Sequence, residues 1–157
     1  MINENEFEVL VCLEKEKRNI SQREVAKILH VSKSTYARWE TGEQVIPLNH
    51  LNDFCKYFKV TMDYVLNLSN QNNFNNNNIY NQEINKNIIG KNIKLVRKKY
   101  QLTQKELAKA INTSQSTISS YEKGKTLVLT VFIYNLALNF NLSVDKICDR
   151  NKELVKI

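Results

Sequence analysis

An all-α fold in two similar units is what the sequence predicts, and three observations predict it. Displaced by 82 positions, the 157-residue chain lines up with itself without a gap. Each copy contains short segments with the apolar spacing of helices, opened by Ser/Thr-x-x-Glu capping boxes. Between the copies the composition changes abruptly: 11 of the 21 residues from Asn67 to Asn87 are Asn, and such a stretch has little to bury. The expected architecture is two five-helix domains, residues 4–67 and 88–149, joined by a disordered Asn-rich linker over 68–87. Two copies with so long a period do not make a solenoid.

The elements of the first copy follow in order. Its opening helix is the least regular part, since Leu10 and Leu13 suggest a register one residue off the repeat. Ser21 begins the next helix, with Glu24 completing the capping box. His30 lies at a turn, and Ser32 starts a second short helix. On that helix Lys33, Ser34, Ala37 and Arg38 face outward while Tyr36 and Trp39 anchor it. Pro47 suits the first position of a fourth helix, where its missing N–H costs nothing. Leu48, Leu51, Phe54, Cys55 and Phe58 form an apolar stripe along it, and Val60–Tyr64 opens a fifth helix. As a flexible coil the linker would hold its ends roughly 25 Å apart.

In the second copy Thr103 and Glu106 repeat the capping box, and Asn112-Thr113 supplies the turn. Asn tolerates the left-handed conformation that such a turn needs. Ser114 then caps a helix with Gln115, Ser116, Ser119 and Ser120 outside and Ile118 and Tyr121 inside. Propensity and repeat disagree over Leu127–Tyr134, which is β-branched and aromatic and would be a strand in isolation. The repeat makes its second half helical, because Ile133, Leu136, Ala137 and Phe140 fall on Leu51, Phe54, Cys55 and Phe58. Leu127, Leu129, Val131, Phe132 and Leu138 are then surplus apolar residues. They form either an interface, for a homodimer or a protein partner near Phe132, or local packing of the loop onto the helix.

The stretch Leu102–Gly124, LTQKELAKAINTSQSTISSYEKG, resembles the helix-turn-helix of the lambda-repressor/Cro-type, XRE-like, DNA-binding family. The resemblance extends to Ile89-Gly90, Ile93, Val96 and Arg97 before it, and to Ile133, Leu136, Ala137, Phe140 and Leu142-Ser143-Val144-Asp145 after it. Through the repeat it covers the first copy as well, so the fold implied is two tandem lambda-repressor-like domains. It implies a second helix lying in the major groove with its N-terminal part on the bases. The base-contacting residues would be Gln115, Ser116 and Ser120 in the second copy, and Lys33, Ser34 and Arg38 in the first. Gln suits adenine and Arg or Lys suits guanine, each good pair giving about 1–3 kcal/mol of discrimination. Gln104 and Gln22 would bond phosphate, with Lys123, Lys125 and Lys91 as further phosphate contacts. Arg97 and Glu122 match a paired arginine and glutamate of the family, which would tie the first helix to the end of the recognition helix. The first copy departs from this: Glu8 stands for the family's glycine, and Lys15 or Glu14 faces Glu40.

Charge agrees with a polyanionic partner, the net charge being +7 and the pI near 9.3. It is uneven. Residues 1–66 hold 9 Lys and Arg against 10 Asp and Glu, whereas residues 67–157 hold 14 against 6. The second copy is therefore expected to be the stronger DNA binder. No apolar run is long enough to span a membrane, and MINENEFEVL lacks the basic start of a signal peptide. Cys12, Cys55 and Cys148 are odd in number and scattered, which suits buried thiols in a cytoplasmic protein. His30 and His50 have no nucleophile or metal-ligand spacing around them, and three glycines make no phosphate loop. The expectation is a transcription regulator, a repressor by preference, with double-stranded DNA as partner, no catalysis, no metal and no cofactor. The competing reading is an interaction module such as an antitoxin or anti-regulator, in which one copy no longer binds DNA.

Overall fold

The computed structural model describes residues 14–74 and 83–148, and the chain divides into two compact units, Met1–Asn81 and Gln82–Ile157. Every regular element among the described residues is an α-helix. In the first unit the described end of α1 covers residues 14–17. It is followed by α2 (Gln22–Ile28), α3 (Lys33–Glu40), α4 (Leu48–Phe58) and α5 (Met62–Val65). The second unit repeats the order with α6 (Lys86–Lys99), α7 (Gln104–Ala110), α8 (Gln115–Glu122), α9 (Thr130–Phe140) and α10 (Val144–Cys148).

Local chemistry sets the helix starts. Ser21 and Thr103 each accept a hydrogen bond from the backbone N–H three residues on, and Glu24 and Glu106 reach back to the cap N–H. These reciprocal bonds satisfy two of the N–H groups that a helix start leaves unpaired. Ser32 and Ser114 cap the recognition-type helices α3 and α8 by bonding Thr35 and Thr117. Thr61 caps α5 through the Tyr64 N–H. Pro47 sits one place earlier than its helix-start preference suggests, as the N-cap of α4 with φ −60°.

Backbone torsion repeats as faithfully as sequence. Left-handed residues occur at Asn19 and Gln101, His30 and Asn112, Gly42 and Gly124, and Lys59 and Asn141. Each pair is separated by the 82-residue period. The turns between corresponding helices are thus closed in the same way in both units, whatever residue occupies them.

Each unit encloses its own core. In the first, Val25, Tyr36, Leu51, Phe54 and Phe58 are fully buried, with Phe54 and Phe58 stacked at 4.4 Å between centroids. In the second, Ile89, Ile93, Leu107, Ile118, Ile133 and Leu136 fill the same role. Burying each such side chain contributes about 1.5–3 kcal/mol. Cys55 belongs to the first core and Cys148 is half-buried at the end of α10; Cys12, with Glu8, Leu10 and Leu13, lies outside the described residues.

The segment of conflicting signals is helical from Thr130, with Val128 buried and Leu129 as N-cap. Tertiary packing overrides strand propensity there. Phe132 does not form an outer patch: it is buried, edge-on to Tyr121 at 4.7 Å between centroids. Local packing accounts for this residue, because its ring closes the gap between α8 and α9. Leu129 and Leu138, by contrast, are 67% and 52% exposed.

The ends of the Asn-rich stretch belong to the units. The Asn72 side chain accepts from the Thr61 N–H and donates to the Lys59 carbonyl, both at 3.0 Å. Asn85 caps α6 by accepting from the N–H groups of Asn87 and Ile88. Residues 75–82 lie outside the described residues.

Candidate nucleic-acid interface

Helices α7 and α8, joined by the left-handed Asn112, make the helix-turn-helix of the second unit; α2 and α3, joined by His30, make that of the first. Ile118 and Tyr121 bury one side of α8, as Tyr36 and Trp39 do for α3. What remains outward is polar. Gln115 and Ser116 are exposed and Ser120 is half-exposed, and Lys33, Ser34 and Arg38 are exposed on α3. Residues at the first, second and sixth positions of an eight-residue helix share one face, so each trio forms a single surface.

Several of these side chains are already oriented. The Ser116 hydroxyl is 2.9 Å from that of Ser114, and Ser34 is 3.0 Å from Ser32. The sixth position faces the loop behind the helix in both units, by a hydrogen bond in the second and a longer ion pair in the first. Ser120 Oγ is 3.0 Å from Thr126 Oγ1, and Arg38 Nε is 3.7 Å from Glu43 Oε1.

The end of each recognition-type helix is fixed by a buried carboxylate. Arg97 forks onto Glu122, with Nε donating to Oε1 and Nη2 to Oε2, the latter at 3.0 Å. Its remaining nitrogen donates to the Leu102 carbonyl at 2.9 Å. Burial alone would raise the Glu122 pKa. The hydrogen bonds from Arg97 and Gln104, with the charges of Arg97 and Lys94, outweigh it and hold the carboxyl below its ordinary value. The first unit uses Lys15, whose Nζ lies 3.1 Å from Glu40 Oε1; Glu14 pairs with Lys17 instead. A lysine supplies a point charge where arginine supplies a planar fork.

Gln22 and Gln104 complete these clusters. Gln22 Nε2 donates to Glu40 at 2.6 Å and Gln104 Nε2 to Glu122 at 3.0 Å. Each amide therefore directs one N–H inward, onto the carboxylate that ends the recognition-type helix. Lys91, Lys123 and Lys125 are exposed. Lys86 joins them, since it is exposed and its Nζ donates to the Lys125 carbonyl at 3.2 Å. Sequence reasoning placed Lys86 in the linker and missed it; the signal was Asn85, a good N-cap residue just before it.

Close approach explains why α6 can reach this cluster. A Cβ added to Gly90 would lie 2.1 Å from the Tyr121 carbonyl oxygen, so only glycine lets α6 pass the end of α8. The loop after α8 is tight against α6 in the same way, through Gly124 at φ +64° over Asn87.

A family model described as helix-turn-helix matches the chain twice, over residues 14–65 and 93–147. The chain belongs to this helix-turn-helix family. The match is XRE-like and in tandem, and the matched segments are the two units just described. Antitoxin PezA of Streptococcus pneumoniae serotype 4 is similar, with 40% identity over 65 residues, 41% of each chain. This helix-turn-helix protein thus spans about two fifths of the length of that curated relative. No solved structure matches it. Among the described residues no helix is long and apolar enough to cross a membrane.

Proposed function

We propose that this protein is a sequence-specific repressor whose two non-identical heads, residues 4–67 and 88–149, read the major groove with Lys33–Glu40 and Gln115–Glu122. The observation that carries the reading is the pair of outward polar trios, Gln115, Ser116, Ser120 and Lys33, Ser34, Arg38, on helices whose other side is buried. Uncharged amide and hydroxyl groups suit adenine edges, and the cations of the first trio suit guanine. Lys91, Lys123 and Lys125, with the second N–H of Gln104 and Gln22, supply the phosphate contacts that fix register. The Arg97–Glu122 pair holds the angle of α8 rather than adding net stability, since desolvation offsets much of its attraction. Repression by occlusion of a promoter needs no catalysis, cofactor or metal.

Selection of bound duplexes from a random-sequence pool with the whole chain tests this. An asymmetric consensus is expected, and Gln115→Ala with Ser120→Ala should lose discrimination at one part of it. A pool that yields no consensus would remove the proposal.

A protein-binding role has its own supporting observation. Leu129 and Leu138 are exposed, and Val131, Tyr134 and Leu138 share a face of α9 at helical spacing. The corresponding first-unit positions are Pro47, Asn49, Asn52 and Lys56. Such a face suits a homodimer or, by analogy with the antitoxin relative, a partner protein. Leu138→Lys, which copies the first unit, should leave folding within about 0.5 kcal/mol of the parent while changing the mass in solution. An unchanged mass would count against the homodimer.

A further inference from the structure

The two units distribute charge around their reading faces in opposite ways. In the second, the reading side chains are neutral and the following loop carries Lys123 and Lys125. In the first, the reading side chains include Lys33 and Arg38, and the same two loop positions are Thr41 and Glu43. Glu43 is more than decoration on that loop, because its carboxylate meets the Arg38 guanidinium at its Nε edge, 3.7 Å away. Both side chains are about half exposed or more, at 52% and 64%, so the pair contributes little to stability.

Its consequences lie in what a DNA duplex would meet. With the carboxylate on its Nε side, the guanidinium keeps its two terminal nitrogens available, and those are what a guanine O6 and N7 accept from. An exposed carboxylate beside them repels phosphate, where the second unit offers a lysine. The first face therefore gains from the right base and loses on the backbone.

We propose that Glu43 is a specificity-determining residue of the first helix-turn-helix. It orients Arg38 toward a guanine edge and lowers the affinity of that face for DNA of arbitrary sequence. This rests on the reading of Arg38 as a base contact, and the first unit then engages only where its guanine is present.

The test uses the full chain, the duplex recovered from a random-sequence pool, its single-base-pair replacements, and an unselected duplex of equal length. Arg38→Ala should abolish discrimination at one G·C pair. Glu43→Gln should weaken discrimination at that same pair by several-fold and leave the other positions unchanged. Glu43→Lys should also tighten binding to the unselected duplex and steepen its salt dependence by about one unit of log–log slope. In the Arg38→Ala background, Glu43→Gln should no longer affect any base pair. An effect of Arg38→Ala with no effect of either Glu43 variant overturns the role of Glu43 alone. A silent Arg38→Ala overturns it together with the base-contact reading.

Discussion

Glu122 shows most directly how one residue's environment fixes the end of α8. Its side chain is 4% exposed and Arg97's 14%, so removing the arginine leaves a buried carboxylate with Gln104 as its remaining donor among the described residues. Arg97→Ala should destabilise the second unit by about 3 kcal/mol, measured by denaturant unfolding. Arg97→Lys, which imitates Lys15 of the first unit, should retain most of that stability and lose angular precision, seen as weaker base discrimination. The pH dependence has a definite sign. The folded Glu122 pKa lies below its ordinary value of 4.5, so between the two values the unfolded chain binds more protons. Its contribution is complete above 4.5 and is lost as pH falls through the folded value. Unfolding midpoints should therefore drop on acidification below that point, and the drop should shrink in Arg97→Ala.

Between helices, the decisive dimension is the gap at Gly90. Its missing side chain lets α6 carry Arg97 within reach of α8, and the Tyr121 carbonyl is backbone that cannot swing aside. Gly90→Ala should cost about 1–3 kcal/mol and Gly90→Glu more, read from thermal unfolding of the second unit. The last carbonyl of the fourth helix is held in each unit by the position that follows the first helix. Arg18 Nη2 donates to the Phe58 carbonyl, and Tyr100 Oη donates to the Phe140 carbonyl at 3.1 Å. Both side chains also lie against the phenylalanine ring they tether. The tether is thus conserved between the units while its chemistry is not.

Across the whole molecule, charge is the property that the two units share least. With 14 cationic residues against 6 anionic ones after residue 66, and 9 against 10 before it, counterion release should favour the second unit. Expressed separately, it should bind an unselected duplex more tightly and with a steeper salt slope than the first, by filter binding or anisotropy. Equal slopes would remove the asymmetry. Joined in one chain, binding of the second unit would raise the local concentration of the first at a neighbouring site.

Much of the fold was legible because capping, turn and core signals agreed with one another in both copies. Ser21 with Glu24 and Thr103 with Glu106 marked helix starts that side-chain bonds then made. Leu127–Tyr134 was read correctly only by the repeat, since its propensity pointed to a strand. Burial of Phe132 was not legible, because an apolar residue at that spacing fits a face or a pocket equally well. The inward turn of the Gln22 and Gln104 amides was also hidden: it depends on carboxylates 18 residues away in sequence. Lys86 and Asn72 escaped for a different reason, as low complexity masked two side chains that the units hold in place.

The repeated left-handed torsions have a practical consequence for stability. Lys59 and Asn141 adopt nearly the same φ, 53° and 52°, yet a lysine pays more for it than an asparagine, which bonds locally in that conformation. Lys59→Asn should therefore stabilise the first unit by roughly 0.5–1 kcal/mol, as a shift in its melting temperature. His30 and Gln101 offer the same opportunity, His30 in the first unit and Gln101 in the second. Duplication has in effect left a set of paired dials, by which the lifetime of either unit can be adjusted without altering a single residue of the outward trios on α3 and α8.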